Sequence, residues 1–254
     1  MTEPMEAGVA PDTIDMVVLC GGRGTRLGSL TSATPKPLLS IGGQPFLLRL
    51  LRHLQDQGVR RFILAAQYLS DRLLNFAGEI SHQVSGVEVV VEPEPLGTGG
   101  GLRHAVEHVR SKTFMALNGD SWLPQPLAPV LAQHIRTGAD MTLVAVPASH
   151  VEGRARSKGI CRLSADDRLL GFDTVDEATD GWVNAGLYVL ERRLVATWPH
   201  ACYSLEAELM RLTAGSMVRI ARSSARLLDI GTPGCLQHAE RYWTSDPSPI
   251  HSEV

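Results

Sequence analysis

A glycine-rich segment directly after an apolar run constrains this chain more than any other feature. Residues 16–19 are apolar, as expected of a buried strand, and residues 19–28 then read L-C-G-G-R-G-T-R-L-G. Residues 34–38 follow as T-P-K-P-L. Glycines let the backbone turn sharply and present several N–H groups at a strand end. With two arginines and a lysine close by, the segment predicts a site for a polyphosphate.

Strand-like and helix-like patterns alternate through the first half of the 254 residues. The predicted strands are 15–19, 62–66, 87–91 and 113–117, and the predicted helices between them are 46–57, 69–76 and 99–109. This alternation indicates a parallel sheet with right-handed crossovers.

The second half has a different pattern, with strands joined by short connections. Strands are predicted at 141–146, 159–163, 169–173, 183–190, 217–220 and 226–230, with a helix at 204–212 and a last helix through about Tyr242. Together the two halves predict an α/β fold with a Rossmann-like mixed, mainly parallel sheet flanked by helices.

Composition excludes several classes of protein. A net charge of −3 is unlike a nucleic-acid-binding surface, which is normally basic. The four cysteines are far apart and fit neither a zinc site nor a disulfide framework. No apolar stretch approaches membrane-spanning length and the N-terminus lacks a signal-peptide pattern, so we expect no membrane association and a cytoplasmic location.

Two familiar phosphate-binding motifs fail on spacing. A P-loop requires a Gly-Lys pair, which this chain lacks. A dinucleotide-binding turn requires G-x-G-x-x-G, whereas three residues separate Gly24 from Gly28 here.

A third motif matches in full. L-x-G-G-x-G-T-R-L followed by P-K-P-L resembles the signature of the sugar-1-phosphate nucleotidyltransferases. The resemblance continues in the family's order through E-P-L-G-T-G-G-G (94–101), L-N-G-D (117–120), V-N-A-G (183–186), S-L-E (204–206) and L-D-I-G (228–231). Within that family the chain is most similar to the D-glycero-D-manno-heptose 1-phosphate guanylyltransferases.

The resemblance implies transfer of a nucleotidyl group from an NTP to a sugar 1-phosphate with release of pyrophosphate. It favours GTP and a heptose or longer-chain sugar 1-phosphate, and it leaves UTP, ATP or dTTP with a mannose-, glucose- or muramic-type sugar open. We expect one domain over residues 15–243, with an NTP-binding lobe at about 15–121, a sugar-phosphate lobe at about 122–243, and flexible tails at 1–14 and 244–254. No C-terminal β-helix is expected, and the oligomeric state stays open, a homo-oligomer included.

The resemblance also assigns the nucleotide-binding and catalytic residues. Arg26, Lys36 and Asp120 are the expected catalytic groups, and Asp120 and Asp229 are the expected ligands of Mg²⁺. The flanking prolines stiffen the backbone at Lys36. The expected nucleotide-binding residues are Leu19, Gly21, Gly22, Arg23, Gly24, Thr25, Gln67, Glu94, Gly97 and Thr98.

Base and sugar recognition fall to other segments of the chain. Either Glu92 or Glu94 could accept from the N1–H and N2–H₂ edge of guanine. The expected sugar-phosphate-binding residues are Lys158, Gly159, Asn184, Gly186 and Glu206. Many family members carry a lysine after the strand that corresponds to 169–172, and this chain does not. Arg154, Arg156 and Lys158 are the candidate replacements.

Two other functions compete with this one. A catalytically silent nucleotide-sugar-binding regulator would be favoured if Lys36, Asp120 or Asp229 were lost, and all three are present. A glycosyltransferase usually binds its metal through an Asp-x-Asp run, whereas this chain has Gly119-Asp120-Ser121.

Overall fold

A computed structural model describes residues 10–152, 159–173 and 181–245. Its strands are β1 (Asp15–Leu19), β2 (Ser40–Ile41), β3 (Gln44–Pro45), β4 (Arg61–Ala66), β5 (Val87–Val91), β6 (Thr113–Asn118), β7 (Ser121–Trp122), β8 (Met141–Pro147), β9 (Val151–Glu152), β10 (Ile160–Leu163), β11 (Leu169–Asp173), β12 (Trp182–Glu191), β13 (Val218–Arg222) and β14 (Leu227–Asp229). Its α-helices are α1 (Phe46–Asp56), α2 (Ser70–Glu79), α3 (Gly97–Ala105), α4 (Leu127–Thr137), α5 (Arg192–Val195), α6 (Leu205–Leu212) and α7 (Pro233–Ser245).

Nine of these strands form the central sheet. Its main order is β11-β10-β12-β6-β1-β4-β5, and β8 and β13 extend it beside β12. β1 pairs in parallel with β4 and β6, and β4 pairs in parallel with β5. β12 runs antiparallel to β6, β8 and β10. The predicted mixed sheet flanked by helices is confirmed.

Both faces of the sheet are covered, which explains why its central strands are apolar throughout. Successive side chains of a strand point to opposite faces. Met16 and Val18 accordingly lie in one core cluster, with residues of α1, α2, α4 and α7, whereas Val17 lies in the second cluster, with residues of α3 and α6. A strand buried on both faces cannot alternate apolar with polar residues.

Helix α4 was not predicted from the sequence. It begins after Pro126 and ends at Gly138, whose φ of 60° is the left-handed conformation common after a helix. Its buried residues Leu127, Val130, Leu131 and His134 follow the helical spacing i, i+3, i+4, i+7. Pro126, before the helix, and Pro129, in its first turn, concealed this pattern.

Several predicted boundaries shift by a few residues. α3 begins at Gly97 rather than 99 and gives way to a 3₁₀ turn at Val106–His108. α2 continues to Glu79, and α7 continues to Ser245. At the other end, Pro11–Thr13 form a 3₁₀ turn and Ile14 is buried. None of the helices described here is both long and apolar enough to cross a bilayer.

The carboxyl ends of β1, β4 and β6 meet at one edge of the sheet, which is where open α/β sheets place their ligands. The glycine-rich turn follows β1, Gln67 follows β4, and Gly119-Asp120 follows β6. The amide of Gly119 donates to the carbonyl of Leu19 at 3.0 Å. A side chain at Gly119 would collide with that carbonyl, since its Cβ would lie 2.8 Å from the oxygen. The glycine therefore allows Asp120 to approach the end of β1.

Candidate active site

A cavity of about 340 Å³ opens at this edge of the sheet. Its walls combine the glycine-rich turn, the ends of β4 and β6, and segments from the second half of the chain. The lining residues are Leu19, Cys20, Gly21, Gly22, Arg23, Lys36, Pro37, Ala65, Gln67, Glu92, Pro95, Gly97, Thr98, Asn118, Asp120, Tyr188, Leu205 and Glu206. The structure thus brings together ten of the predicted site residues: Leu19, Gly21, Gly22, Arg23, Lys36, Gln67, Gly97, Thr98, Asp120 and Glu206. Gly24 packs behind them, against the side chain of Lys36.

The glycine-rich turn is shaped to bind an anion. Gly24 has φ 65°, and a Cβ there would lie 3.0 Å from the Thr31 methyl group and 3.4 Å from Lys36 Cβ. In the described part of the chain, the backbone N–H groups of Gly22, Arg23 and Gly24 find no acceptor. Successive unpaired N–H groups at a turn attract phosphate oxygens.

Lys36 and Asp120 form an ion pair in the cavity. Lys36 Nζ lies 2.6 Å from Asp120 Oδ2, with side-chain exposures of 11% and 22%. Pro35 and Pro37 are buried on either side and hold the backbone of Lys36. An ammonium group fixed in a partly dry cavity is suited to stabilise charge that develops on a phosphoryl group.

Asp229 reaches the site from the far end of the chain. β14 pairs with β7 so that Asp229 is opposite Ser121, and the amide of Ile230 donates to the Asp120 carbonyl at 3.0 Å. Asp229 therefore ends β14 beside the turn that carries Asp120, directly before β7. Asp229 Oδ1 accepts from the Gly231 amide.

This donor set fits Mg²⁺, which is held in such sites by one or two carboxylates together with substrate phosphates. No group of three or more metal-ligating side chains occurs in residues 10–152, 159–173 and 181–245. A closed all-protein cage is therefore not formed by these residues, and an open two-carboxylate site is compatible with them.

Arg26 and Thr25 lie apart from the cavity lining. Arg26 is exposed, and its Nη2 lies 3.1 Å from the position of a Cβ on Gly231, beside Asp229. Thr25 is the first residue of the 3₁₀ turn Thr25–Thr31 and is also exposed. Arg26 thus approaches the site from the side of Asp229, and its predicted catalytic role stays a prediction.

The structure separates the two glutamates that the sequence left open. Glu92 lines the cavity, is 8% exposed, and accepts from the Leu96 amide through Oε2 at 3.1 Å. Its Oε1 lies toward Gly21, where a Cβ would be 2.9 Å away. Burial raises the pKa of this carboxyl, against the hydrogen bond from Leu96 and the charge of His104. Glu94, the residue predicted to bind nucleotide, is exposed and outside the lining.

The P-L-G-T-G-G-G loop is packed tightly against the segment that precedes α6. The Gly99 amide donates to the Tyr203 carbonyl at 3.0 Å, and the Tyr203 amide donates to the Leu96 carbonyl at 2.9 Å. A Cβ at Gly97 would lie 2.5 Å from the Tyr203 carbonyl oxygen, and a Cβ at Gly100 would collide with the Ala201 carbonyl. These glycines serve close packing inside the protein as well as any contact with a ligand.

Thr98 and Glu206 are linked through the start of α6. Thr98 Oγ1 accepts from the Leu205 amide at 2.8 Å, and Glu206 follows directly and lines the cavity. The Ser204 hydroxyl caps the same helix by accepting from the Ala207 amide. The side chains of Thr98 and Ser204 therefore fix the first turn of α6, which carries Glu206.

Asn184 and Gly186 lie beneath the cavity rather than in its lining. Asn184 is 2% exposed; its Nδ2 donates to Tyr188 Oη at 2.8 Å and its Oδ1 accepts from the Gly186 amide at 2.7 Å. Gly186 has φ 76°, and the Asn118 side chain packs against its Cα. Gly159, with φ 73°, packs near Phe172 and Asp173. Asn184 therefore supports Tyr188 and the bulged part of β12.

Tyr188 and Asn118 line the cavity and were missed from the sequence. Burial and the negative charge of Glu206 raise the pKa of the Tyr188 hydroxyl, which stays protonated. Asn118 lies in the L-N-G-D motif, of which only the aspartate is a predicted site residue. Period-two spacing along β12 from Asn184 through Gly186 would have pointed to Tyr188.

Lys158, Arg154 and Arg156 lie outside the described residues, as do residues 174–180. The cation that would replace the missing family lysine therefore stays a prediction.

Known proteins similar to this chain include enzymes and a solved structure. It is 37% identical over 193 residues to a mannose-1-phosphate guanylyltransferase of Mycobacterium tuberculosis, covering 75% of this chain and 52% of that protein. It is 29% identical over 181 residues to the D-glycero-alpha-D-manno-heptose 1-phosphate guanylyltransferase of Aneurinibacillus thermoaerophilus, covering 71% and 76%. The crystal structure of HddC from Yersinia pseudotuberculosis complexed with GMP-PN superposes with a TM-score of 0.80 at 28% identity, over 91% of this chain and 99% of that one.

The chain thus spans about half the length of the first of these relatives. Residues 15–222 match the family model described as Nucleotidyl transferase, which covers β1 through β13 and every segment of the cavity wall. With that match and the geometry of its cavity, the chain belongs to the nucleotidyl transferase family.

Proposed function

We propose that this protein transfers a guanylyl group from GTP to a sugar 1-phosphate of the manno configuration, a heptose 1-phosphate in the first place, and releases pyrophosphate. The Lys36–Asp120 pair beside the glycine-rich turn carries the proposal, because it places a fixed cation and a metal-ligating carboxylate where a triphosphate would bind. Relatives named for mannose 1-phosphate and for D-glycero-alpha-D-manno-heptose 1-phosphate support the sugar class, since both sugars share one ring configuration.

The chemistry requires two polyanions to meet. A phosphate oxygen of the sugar 1-phosphate attacks the α-phosphorus, a new P–O bond forms, and the bond from that phosphorus to the oxygen bridging to the β-phosphate breaks as pyrophosphate leaves. Positioning and charge neutralisation dominate such reactions. The N–H groups of the turn and Arg23 would hold the outer phosphates, and Lys36 would stabilise the charge at the α-phosphate.

Asp120 and Asp229 would hold Mg²⁺. The ion, when bound, would neutralise phosphate charge and orient the triphosphate. Before the nucleotide arrives, Lys36 keeps the Asp120 carboxylate paired, which limits the cost of placing two acidic groups on adjacent backbone segments.

Guanine is the proposed base because of Glu92. Its Oε1 lies near Gly21 in the cavity lining, where a carboxylate oxygen can accept from the N1–H or N2–H₂ of guanine. Gln67 lines the same wall and offers an amide to the base. The HddC structure, described as complexed with GMP-PN, supports this choice. We place the reaction in the cytoplasm, where NTPs are available.

A pyrophosphate-release assay tests the proposal. GTP, ATP, UTP, CTP and dTTP are each combined with mannose, glucose and D-glycero-D-manno-heptose 1-phosphate, in the presence of Mg²⁺. We expect GTP with a manno-configured substrate to turn over fastest. Preference for another base would refute the guanine assignment, and no turnover with any pair would refute the enzyme and favour a silent nucleotide-sugar-binding regulator.

Replacing Lys36 is the sharpest single test of the site. Because Lys36→Ala removes one fixed charge-stabilising donor, we expect kcat to fall on the order of 10²–10³ with the folded state retained. Lys112→Ala removes an exposed lysine outside the cavity and is the matched control. Equal kcat values for the two variants would exclude Lys36 from the chemical step.

A further inference from the structure

Tyr68 contacts both ends of the glycine-rich loop, which we define as residues 21–32, although it does not line the cavity. The Tyr68 amide donates to the Gly21 carbonyl at 3.4 Å. Its hydroxyl donates to the carbonyls of Thr31 at 3.0 Å and Ser32 at 3.3 Å. Tyr68, the second residue after the end of β4, is therefore hydrogen-bonded to the first residue and to the last two residues of the loop.

Thr31 links the Tyr68 hydroxyl to the turn beside Lys36. Thr31 is 3% exposed, and its hydroxyl donates toward the carbonyls of Gly24 at 3.2 Å and Gly28 at 3.3 Å. At Gly24 the backbone in turn packs against the Lys36 side chain, since a Cβ there would lie 3.5 Å from Lys36 Cε. The hydrogen bonds of Tyr68 thus fix the segment against which the Lys36 ammonium is placed.

The Tyr68 ring makes a second kind of contact. The Arg23 guanidinium carbon lies 5.9 Å from the ring centroid, within the range of a cation–π interaction. Arg23 is exposed and lines the cavity. An exposed arginine loses considerable side-chain entropy when it binds a phosphate, and stacking on a fixed ring reduces that cost.

We infer that Tyr68 is a positioning residue for the triphosphate: its hydroxyl sets the shape of the loop, and its ring orients Arg23 toward the outer phosphates. The inference rests on the proposed function for the identity of the nucleotide. It predicts that Tyr68 affects the binding of the β- and γ-phosphates, which Arg23 would hold, much more than the binding of the base, the ribose and the α-phosphate. A residue that served only the stability of the fold would not distinguish these parts of the ligand.

The experiment compares the affinities of GTP and GMP by calorimetric titration in the presence of Mg²⁺. For Tyr68→Phe, which keeps the ring and removes the hydrogen bonds, we expect GTP affinity to fall about three- to tenfold and GMP affinity to stay within twofold. For Tyr68→Leu, which also removes the ring, we expect a larger loss for GTP alone. Tyr242→Phe removes a tyrosine hydroxyl on α7 and is the matched control for Tyr68→Phe.

A double-mutant cycle tests the ring separately. We expect Arg23→Ala to weaken GTP binding in the wild-type background and to have a smaller effect in Tyr68→Leu. Equal losses for GTP and GMP, or unchanged GTP affinity in Tyr68→Leu, would overturn the inference.

Failure of the inference and failure of the proposed function have different readouts. Binding is measured without turnover, so a wild-type protein that binds GTP and catalyses nothing would refute the proposed reaction while the GTP-to-GMP ratio still reports on Tyr68. If the wild type prefers another base, that NTP and its monophosphate replace GTP and GMP. A wild type that binds no NTP would overturn both.

Discussion

Glu92 is the most deeply buried of the acidic side chains that line the cavity, whereas Asp120 is partly exposed and Glu206 is exposed. A buried carboxylate is costly to ionise, and the raised pKa of Glu92 expresses that cost. Retaining such a group at a cavity wall is typical of sites in which function outweighs stability.

Replacing the Glu92 carboxyl by an amide should separate its contribution to base preference from its cost to the stability of the fold. Glu92→Gln keeps an oxygen for the Leu96 amide and removes the charge, so we expect the preference for GTP over ATP in kcat/KM to fall about tenfold. Because the folded-state pKa is raised, ionisation of Glu92 at neutral pH opposes folding. We therefore expect the variant to unfold at higher urea concentration than the wild type at neutral pH, with the difference shrinking as pH falls toward the ordinary range of a glutamate.

Glu94→Gln is the control, since Glu94 has the same chemistry but is exposed and outside the cavity. We expect neither base preference nor stability to change. A shift of base preference in Glu94→Gln but not in Glu92→Gln would reverse the assignment.

The sequence could not distinguish these two glutamates, which are two residues apart and both next to prolines. Their difference arises from the end of β4, since the Glu92 amide donates to the Ala66 carbonyl and thereby turns the side chain inward. By contrast, Lys36 and Asp120 could be predicted as site residues from their motifs. Their direct ion pair could not, because it depends on a contact between residues 84 positions apart.

At the scale of elements, α6 depends on a residue outside it. The first N–H groups of a helix lack partners within the helix, and here the Leu205 amide finds one in the Thr98 hydroxyl. Thr98 therefore fixes Glu206, the next residue of α6, although Thr98 belongs by sequence to the loop assigned to the nucleotide.

A valine at this position tests that dependence. Thr98→Val keeps the shape and removes the acceptor, so we expect the free energy of unfolding to fall by about 1 kcal/mol and the KM for the sugar 1-phosphate to rise several-fold. Thr98→Ser should restore both quantities. A change in the KM for GTP alone would mean that Thr98 acts on the nucleotide instead.

The sequence predicts most elements of the central sheet because β-branched and apolar runs mark strands that are buried on both faces. α4 escaped prediction because Pro126 and Pro129 are unfavourable within helices, although both are tolerated at a helix start. The short strands β7 and β9 are set by tertiary pairing alone, whereas β14 also had a sequence signal at 226–230.

The whole molecule divides stability and chemistry between opposite edges of the central sheet. At the edge opposite the cavity, the Asp15 carboxylate accepts from Arg61, from the Ser111 amide at 3.0 Å and from the Arg110 amide at 2.5 Å. Burial opposes ionisation of Asp15, but these hydrogen bonds and the charge of Arg61 outweigh it and hold the pKa below its ordinary value.

Asp15→Asn should therefore affect stability without affecting catalysis. We expect the free energy of unfolding to fall by about 2 kcal/mol at neutral pH, with KM values unchanged. Since the folded-state pKa is lowered, the stabilisation is present above the ordinary pKa of an aspartate and is lost as pH falls through the folded-state value. Urea titrations at neutral and acidic pH would show the variant and the wild type converging in acid. A change in KM for either substrate would contradict this separation of the two edges.

The contact between residues 97–101 and 201–204 limits how such a protein can diverge. Carbonyl groups of one segment occupy the space that side chains of the other would need. Substitutions in residues 97–101, the loop predicted to bind the nucleotide, therefore require compensating changes near α6, the segment that presents Glu206. We therefore expect base preference and sugar preference to change together in evolution. A mutant library designed to alter one of the two preferences would succeed only if it varies both segments.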